Sequence, residues 1–237
     1  LWRRHMQRLA AGCRRLRIPP PAAETLREEA ERLCARLDRA VLKIMVTRGD
    51  GGRGYAPPPA AAGTRVLMTY PWPPYPERHR RDGVAVRVCA ARLGASPGLV
   101  GLKHLNRLEQ VMARAEWDDP SIAEGLMLDA AGHVIEGTMS NLFAVIGGRL
   151  VTPDLTQAGV AGIVRAVILE AASAAGMPCE ARPLALHELL RADEVFLSNS
   201  LIRVWPVAAI DGAALARGPV AGRMAEAVVD RENAERA

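Results

Sequence analysis

The chain has 237 residues, 49 % hydrophobic and 24 % charged, with a formal net charge of +5. That length can bury a substantial core, and the balance of residue types is that of an ordinary globular protein, not of a disordered or fibrous chain. No apolar run reaches the length of a bilayer span, no signal peptide is visible, and Cys13, Cys34, Cys89 and Cys179 are too scattered for a zinc ribbon or a disulfide framework. Reduced thiols, a cytoplasmic setting, no membrane partner and no metal are therefore expected.

The positive charge is uneven. Arg3, Arg4, Arg8, Arg14, Arg15 and Arg17 crowd the start, and Arg78-His-Arg-Arg81 forms a second cluster. A basic chain can bind nucleic acid, but no aromatic-basic or zinc motif accompanies these residues. Anionic small substrates or a phosphorylated cofactor account for them equally well, and no nucleic-acid partner is expected.

In chain order, residues 3–17 read as a helix with Met6, Leu9, Ala10, Cys13 and Leu16 on one face, ended by Pro19-Pro20-Pro21. A second helix is predicted from Ala23 to Arg39, then a buried strand over 40–47. Arg48-Gly-Asp-Gly-Gly-Arg-Gly-Tyr55 and Pro57-Pro58-Pro59 follow as a loop. Its glycines permit close backbone approach to a ligand, and Arg48 and Arg53 suit carboxylates, which they can grip bidentately. Its spacing matches no nucleotide-phosphate motif. Strands are predicted over 65–70 and 84–90, with a linker over 91–100. The domain reading is a small N-terminal α/β domain over 1–93, a linker over 94–100 and a large domain over 101–237.

Lys103 stands where that linker gives way to a predicted amphipathic helix, with Leu105, Leu108, Val111, Met112 and Ala115 at helical spacing. A helix behind the lysine would hold its base still, as a Schiff-base amine requires. Short strands are predicted over 125–129, 133–136, 141–146 and 149–152, a helix over 162–175, a strand near 179–182 and a short helix near 184–191. Strands over 194–198 and 203–210 and a helix over 219–233 complete the chain. Glu136 opens the block Glu136-Gly-Thr-Met-Ser-Asn-Leu-Phe143. Gly159-Val-Ala-Gly-Ile-Val-Arg165 opens a helix whose N-terminal amides form a natural phosphate site. Ser198-Asn-Ser200 ends a strand with hydroxyls suited to a phosphate oxygen. Each feature alone also fits a plain structural role: a solvated lysine, a turn-capping acid, an ordinary helix start, a polar turn.

Taken in this order, the features resemble the fold-type IV pyridoxal-phosphate enzymes, which include branched-chain and D-amino-acid transaminases and the aminodeoxychorismate lyases. Arg48-Gly-Asp-Gly-Gly-Arg-Gly-Tyr55 and Gly101-Leu-Lys-His-Leu-Asn-Arg-Leu-Glu-Gln110 look most like the lyase branch. The resemblance implies a two-domain α/β architecture of the α+β type with pyridoxal 5'-phosphate as cofactor. It makes Lys103 the cofactor-bearing lysine and sets Glu136 against the pyridine nitrogen. Arg8, the Ile163 and Val164 amides and the Ser200 hydroxyl would take the phosphate. It further implies a homodimer and, for the lyase branch, conversion of 4-amino-4-deoxychorismate to 4-aminobenzoate and pyruvate in folate biosynthesis. Arg48, Arg53, Asn106 and Arg107 are the candidate substrate residues. A transaminase on the same fold is the nearest alternative; a basic nucleic-acid-binding module and an inactive fragment are the others. The sequence departs from the family twice. Leu108 stands where branched-chain enzymes have a tyrosine, and the family's opening strand with its Gly-Asp-Gly-Leu-Phe-Glu-like segment is absent. With the chain starting at Leu1, the expectation is a fold short of its N-terminal strands.

Overall fold

A computed structural model describes residues 1–57 and 63–235; Pro58 and Pro59 of the predicted loop lie outside these residues. The chain forms two compact units, Trp2–Pro74 and the residues from Tyr75 onward together with Leu1.

In the first unit, α1 (Trp2–Arg15) and α2 (Ala23–Cys34) precede an antiparallel pair, β1 (Ala40–Thr47) and β2 (Thr64–Pro71). The pair runs from Ala40 opposite Pro71 to Thr47 opposite Thr64. After α1 the chain turns through Arg17 at φ 53, and Ile18 N–H donates to the Cys13 carbonyl. The second helix stops at Cys34, short of the predicted Arg39. Leu26 and Ala30 are buried, but Leu33 and Leu37 are 41 % and 45 % exposed, so little burial holds a further turn.

The second unit is built on a mixed sheet of nine strands among the described residues. Eight of them run in the order β5-β4-β3-β10-β9-β6-β7-β8 and β11 pairs with β10. They are β3 (Val84–Leu93), β4 (Ile122–Asp129), β5 (Val134–Gly137), β6 (Asn141–Ile146), β7 (Arg149–Pro153), β8 (Cys179–Arg182), β9 (Glu194–Asn199), β10 (Arg203–Ile210) and β11 (Ala213–Ala214). The helices of this unit are α3 (Arg78–Arg81), α4 (Leu108–Arg114), α5 (Ile163–Ala174), α6 (Leu186–Leu189) and α7 (Val220–Ala234). The short α3 had no counterpart in the sequence reading.

The central strands are covered on both faces, so they are apolar at successive positions instead of alternating. Along β6, Leu142 and Ala144 enter one core cluster and Phe143 and Val145 the other. On β9, Val195 and Leu197 face the first cluster and Phe196 the second. Val164, Val167 and Ile168 of α5 and Met224 and Val228 of α7 complete the second cluster, where Phe143 and Phe196 stack at 5.1 Å. Burying a side chain of this size contributes about 1.5–3 kcal/mol.

The units do not divide at the expected linker over 94–100. They divide at Pro74, because β3, assigned from sequence to the N-terminal domain, pairs in parallel with both β4 and β10 inside the large sheet.

Candidate active site

Lys103 lies in a loop, not at the start of a helix: α4 begins at Leu108. The predicted inward face is also reversed. Leu105, Leu108, Val111 and Met112 are exposed, and the small Ala113 is what packs, beside Cys89, Leu93, Trp117 and Met127. The lysine's backbone is held by hydrogen bonds instead. Before it, Gly101 adopts φ 75, a left-handed conformation suited to glycine. Its N–H donates to the Gly159 carbonyl at 2.9 Å and its carbonyl accepts from Ala161 N–H at 3.0 Å. After it, Arg107 donates through Nε to the His104 carbonyl at 3.0 Å and through Nη2 to the Leu102 carbonyl at 2.7 Å. The Lys103 and Asn106 side chains are exposed.

Glu136 sits on β5 opposite Met127 of β4 and is only 4 % exposed. Its Oε2 accepts from Val160 N–H at 2.8 Å. Burial pushes its carboxyl up to about 7, against the pull of that amide, the charges of Arg107 and Lys103 and a hydrogen bond from Gln110. Desolvation wins because those partners are fewer than a fully ionised, buried carboxylate needs.

Beyond Glu136 the chain turns through residues 137–140 around a second buried acid, Glu124. It accepts from the amides of Gly125, Thr138 and Met139 and from the hydroxyls of Thr138 and Ser140. Asn141, at the start of β6, donates to the Val160 carbonyl at 2.8 Å. Its Oδ1 would lie 2.0 Å from a Cβ at Gly162, so only glycine fits there. Gly162 caps α5 in an extended conformation, and the first helical bond runs from Ala166 N–H to the Gly162 carbonyl. The Ile163 and Val164 amides precede that bond and have no acceptor within the helix. Ser198 pairs with Asn141 across β9 and β6, and its buried hydroxyl finds no hydrogen-bond partner among the described residues. Asn199 donates to the Met139 carbonyl at 3.0 Å and accepts from Leu201 and Ile202 N–H, which fixes the turn carrying the exposed Ser200.

The remaining predicted arginines belong to the N-terminal unit. Arg8 lies on α1, where burial lowers its pKa. Arg48 donates to the carbonyls of Leu16 and Arg17, so it closes the end of α1. Arg53 is exposed.

Residues 1–210 match the family Amino-transferase class IV. The chain belongs to this family. It is 38 % identical over 209 residues to an aminodeoxychorismate lyase of Vibrio harveyi, spanning 88 % of this chain and 77 % of that protein. The crystal structure of 4-amino-4-deoxychorismate lyase from Pseudomonas aeruginosa superposes with a TM-score of 0.91 at 50 % identity, over 96 % of this chain and 84 % of that one. A branched-chain amino acid aminotransferase from T.th., solved with pyridoxamine 5'-phosphate, superposes with a TM-score of 0.83 at 25 % identity, over 97 % and 78 %.

The class IV site fits pyridoxal phosphate on this chain's own geometry. Glu136 is a buried acid short of the partners its charge needs, which suits a protonated ring nitrogen. The glycine-lined start of α5 offers amides to a phosphate. Lys103 presents an exposed amine from a loop tied to the same 159–161 segment that binds Glu136. Sequence reasoning named these three groups but missed Glu124, Asn141, Val160 and Gln110. Glu124 left one signal, a single acid inside the apolar run Ile122–Leu128. Nothing local marks Val160, whose role lies in its backbone.

Proposed function

We propose that the chain is a pyridoxal-phosphate-dependent lyase that converts 4-amino-4-deoxychorismate to 4-aminobenzoate and pyruvate. The observation that carries the reading is the 159–161 segment. It hydrogen-bonds the Lys103 loop through Gly101 and Glu136 through Val160, and it leads into the α5 N-terminus. This shared segment supports assigning Lys103, Glu136 and the α5 N-terminus to one site.

The bound cofactor supplies an electron sink for the charge left when the substrate loses a proton. Lys103 would hold the cofactor through its side-chain amine, and that amine is the base this chain supplies for the proton at substrate C4. Loss of the enolpyruvyl group then aromatises the ring, and the same lysine returns a proton to form pyruvate. Glu136 would hold the proton on the cofactor's ring nitrogen. The Ile163 and Val164 amides and the Ser200 hydroxyl would bind its phosphate. For Arg8 on the phosphate and Arg53 on a substrate carboxylate, the resemblance alone supports the assignment, with Asn106 a further substrate candidate. The resemblance also supports a homodimer, a cytoplasmic setting and a place in folate biosynthesis. No helix of the described residues is long and apolar enough to cross a membrane. The exposed apolar side chains of Leu105, Leu108, Val111 and Met112 favour association.

The test is the visible spectrum before and after borohydride, beside Lys103→Ala, together with an assay of 4-aminobenzoate formation. The wild-type protein is expected to carry a reducible chromophore that the variant lacks. A chromophore unchanged in the variant overturns the role of Lys103. Rapid half-transamination with an amino donor, without 4-aminobenzoate from aminodeoxychorismate, overturns the lyase reading.

A further inference from the structure

We infer that Arg107 is a positioning residue for Lys103, with its guanidinium fork fixing the carbonyls of Leu102 and His104, the residues on either side of the lysine. The inference rests on Lys103 being the cofactor-bearing amine.

Lysine is a poor choice for a fixed nucleophile, because its four-carbon stem is flexible. Only the position and direction of its Cα can be set by the fold. Residues 102–107 have no regular structure to set them. On the N-terminal side, Gly101 is tied at both its N–H and its carbonyl to residues 159 and 161. On the C-terminal side the corresponding tie is a side chain. Arg107 reaches back from the start of α4 and donates Nε to the His104 carbonyl and Nη2 to the Leu102 carbonyl. The anchor behind it is firm, since α4 packs through Ala113 into the cluster around Trp117 and Met127. Lys103 therefore lies between two clamps, one backbone and one guanidinium. The guanidinium is half-buried, and Glu136 and Glu109 supply the nearby negative charge that supports it.

The two bonds commit Nε and one Nη2 hydrogen and leave the Nη1/Nη2 edge open, so the substrate-carboxylate role expected from sequence is separated from this one by the KM readout. Two donors on one edge of the fork are already committed to the protein's own carbonyls. A planar fork can span two carbonyls at once, and a lysine ammonium at this position cannot reproduce that arrangement.

The experiment compares wild type, Arg107→Lys and Arg107→Met as holoenzymes. In both variants kcat is expected to fall roughly ten- to hundredfold, the range for small misplacements of a reacting group, while KM stays within about twofold. Hydrogen exchange is expected to quicken in the peptide covering residues 99–107 and to stay unchanged across α5. A KM rise of tenfold or more with kcat intact makes Arg107 a substrate ligand and overturns the inference. So does full activity in Arg107→Lys, because charge alone then suffices. Unaltered exchange in 99–107 also overturns it, and this readout survives any loss of activity in a folded variant. If Lys103→Ala keeps the reducible chromophore, the functional reading itself has failed; if it loses the chromophore and the Arg107 variants are silent, only this inference has.

Discussion

The Val160 amide donates to the Glu136 carboxylate at 2.8 Å, and the Val160 carbonyl accepts from Asn141 at 2.8 Å. One peptide segment thus joins the acid of β5 to the strand that builds the α5 cradle. Glu136 is nevertheless under-solvated, and its carboxyl stands at about 7 against the ordinary 4.5. The folded state therefore binds its proton more tightly than the unfolded chain does. This stabilisation is complete below about pH 4.5 and is lost as pH rises through about 7, a change on the order of 3 kcal/mol. Thermal melts of cofactor-free protein between pH 5 and 8 check it: wild type should lose stability relative to Glu136→Gln as pH rises. Parallel pH dependence in the two proteins would exclude it.

Gly162 and Asn141 make a purely steric prediction. Gly162 has φ −68, which any residue adopts, yet an added Cβ would meet Asn141 Oδ1 at 2.0 Å. Gly162→Ala is expected to lower stability by about 1–3 kcal/mol through overpacking and to weaken cofactor retention. Asn141→Ala alone loses the bond to Val160. In the double variant the clash disappears, so the combined loss should fall short of the sum by about 1 kcal/mol. Denaturant melts of the four proteins give the answer, and strict additivity counts against the clash.

Glu124 organises the turn after Glu136 entirely as an acceptor. Glu124→Gln places an amide N–H₂ among donors, leaving buried groups opposed and unpaired. The expected loss is about 1–3 kcal/mol, with a smaller loss of about 1 kcal/mol for Ser140→Ala, which removes one donor only. Urea unfolding of both variants measures this ranking; equal losses would contradict it.

Arg48 and Arg53 share a loop and a residue type, and they should respond oppositely. Arg48→Ala frees the Leu16 and Arg17 carbonyls at the end of α1 and is expected to cost about 1–2 kcal/mol of stability. KM should barely move. Arg53 is exposed, so Arg53→Ala should leave the melting temperature unchanged and raise KM about tenfold or more, as loss of a charged carboxylate contact does. Melts and steady-state kinetics on the same samples separate the two, and a reversed pattern would reassign the residues.

Much of the secondary structure was legible in the sequence. The strands over 40–47, 141–146, 179–182 and 203–210 have the predicted bounds, because unbroken apolar or alternating runs end at clear turn residues. The helix over 162–175 is within a residue of α5 at each end, and Gly176 follows it at φ 68. The helix at Lys103 was misread for a physical reason. Leu105, Leu108, Val111 and Met112 do recur at helical spacing, but periodicity reports that a face is apolar and not that anything within the chain covers it. Arg107 was legible as a cation near the lysine. That its fork turns inward onto Leu102 and His104 was not, since carbonyl partners leave no mark on the pattern of side chains.

The sequence by itself determined the family. The Lys-His-Leu-Asn-Arg string, the Glu136 block and the glycine-led helix are local chemical identities, and they survive any uncertainty about packing. Only the tertiary structure decided how they work together. The division at Pro74, the burial that drives Glu136 to about 7, the Thr138, Met139 and Ser140 donors on Glu124 and the tie of Gly101 to residues 159 and 161 depend on contacts between segments apart in sequence, while the Arg107 clamp is local but made to backbone carbonyls. Most of those contacts run through backbone N–H and C=O groups, which every residue carries alike, so no choice of side chain announces them.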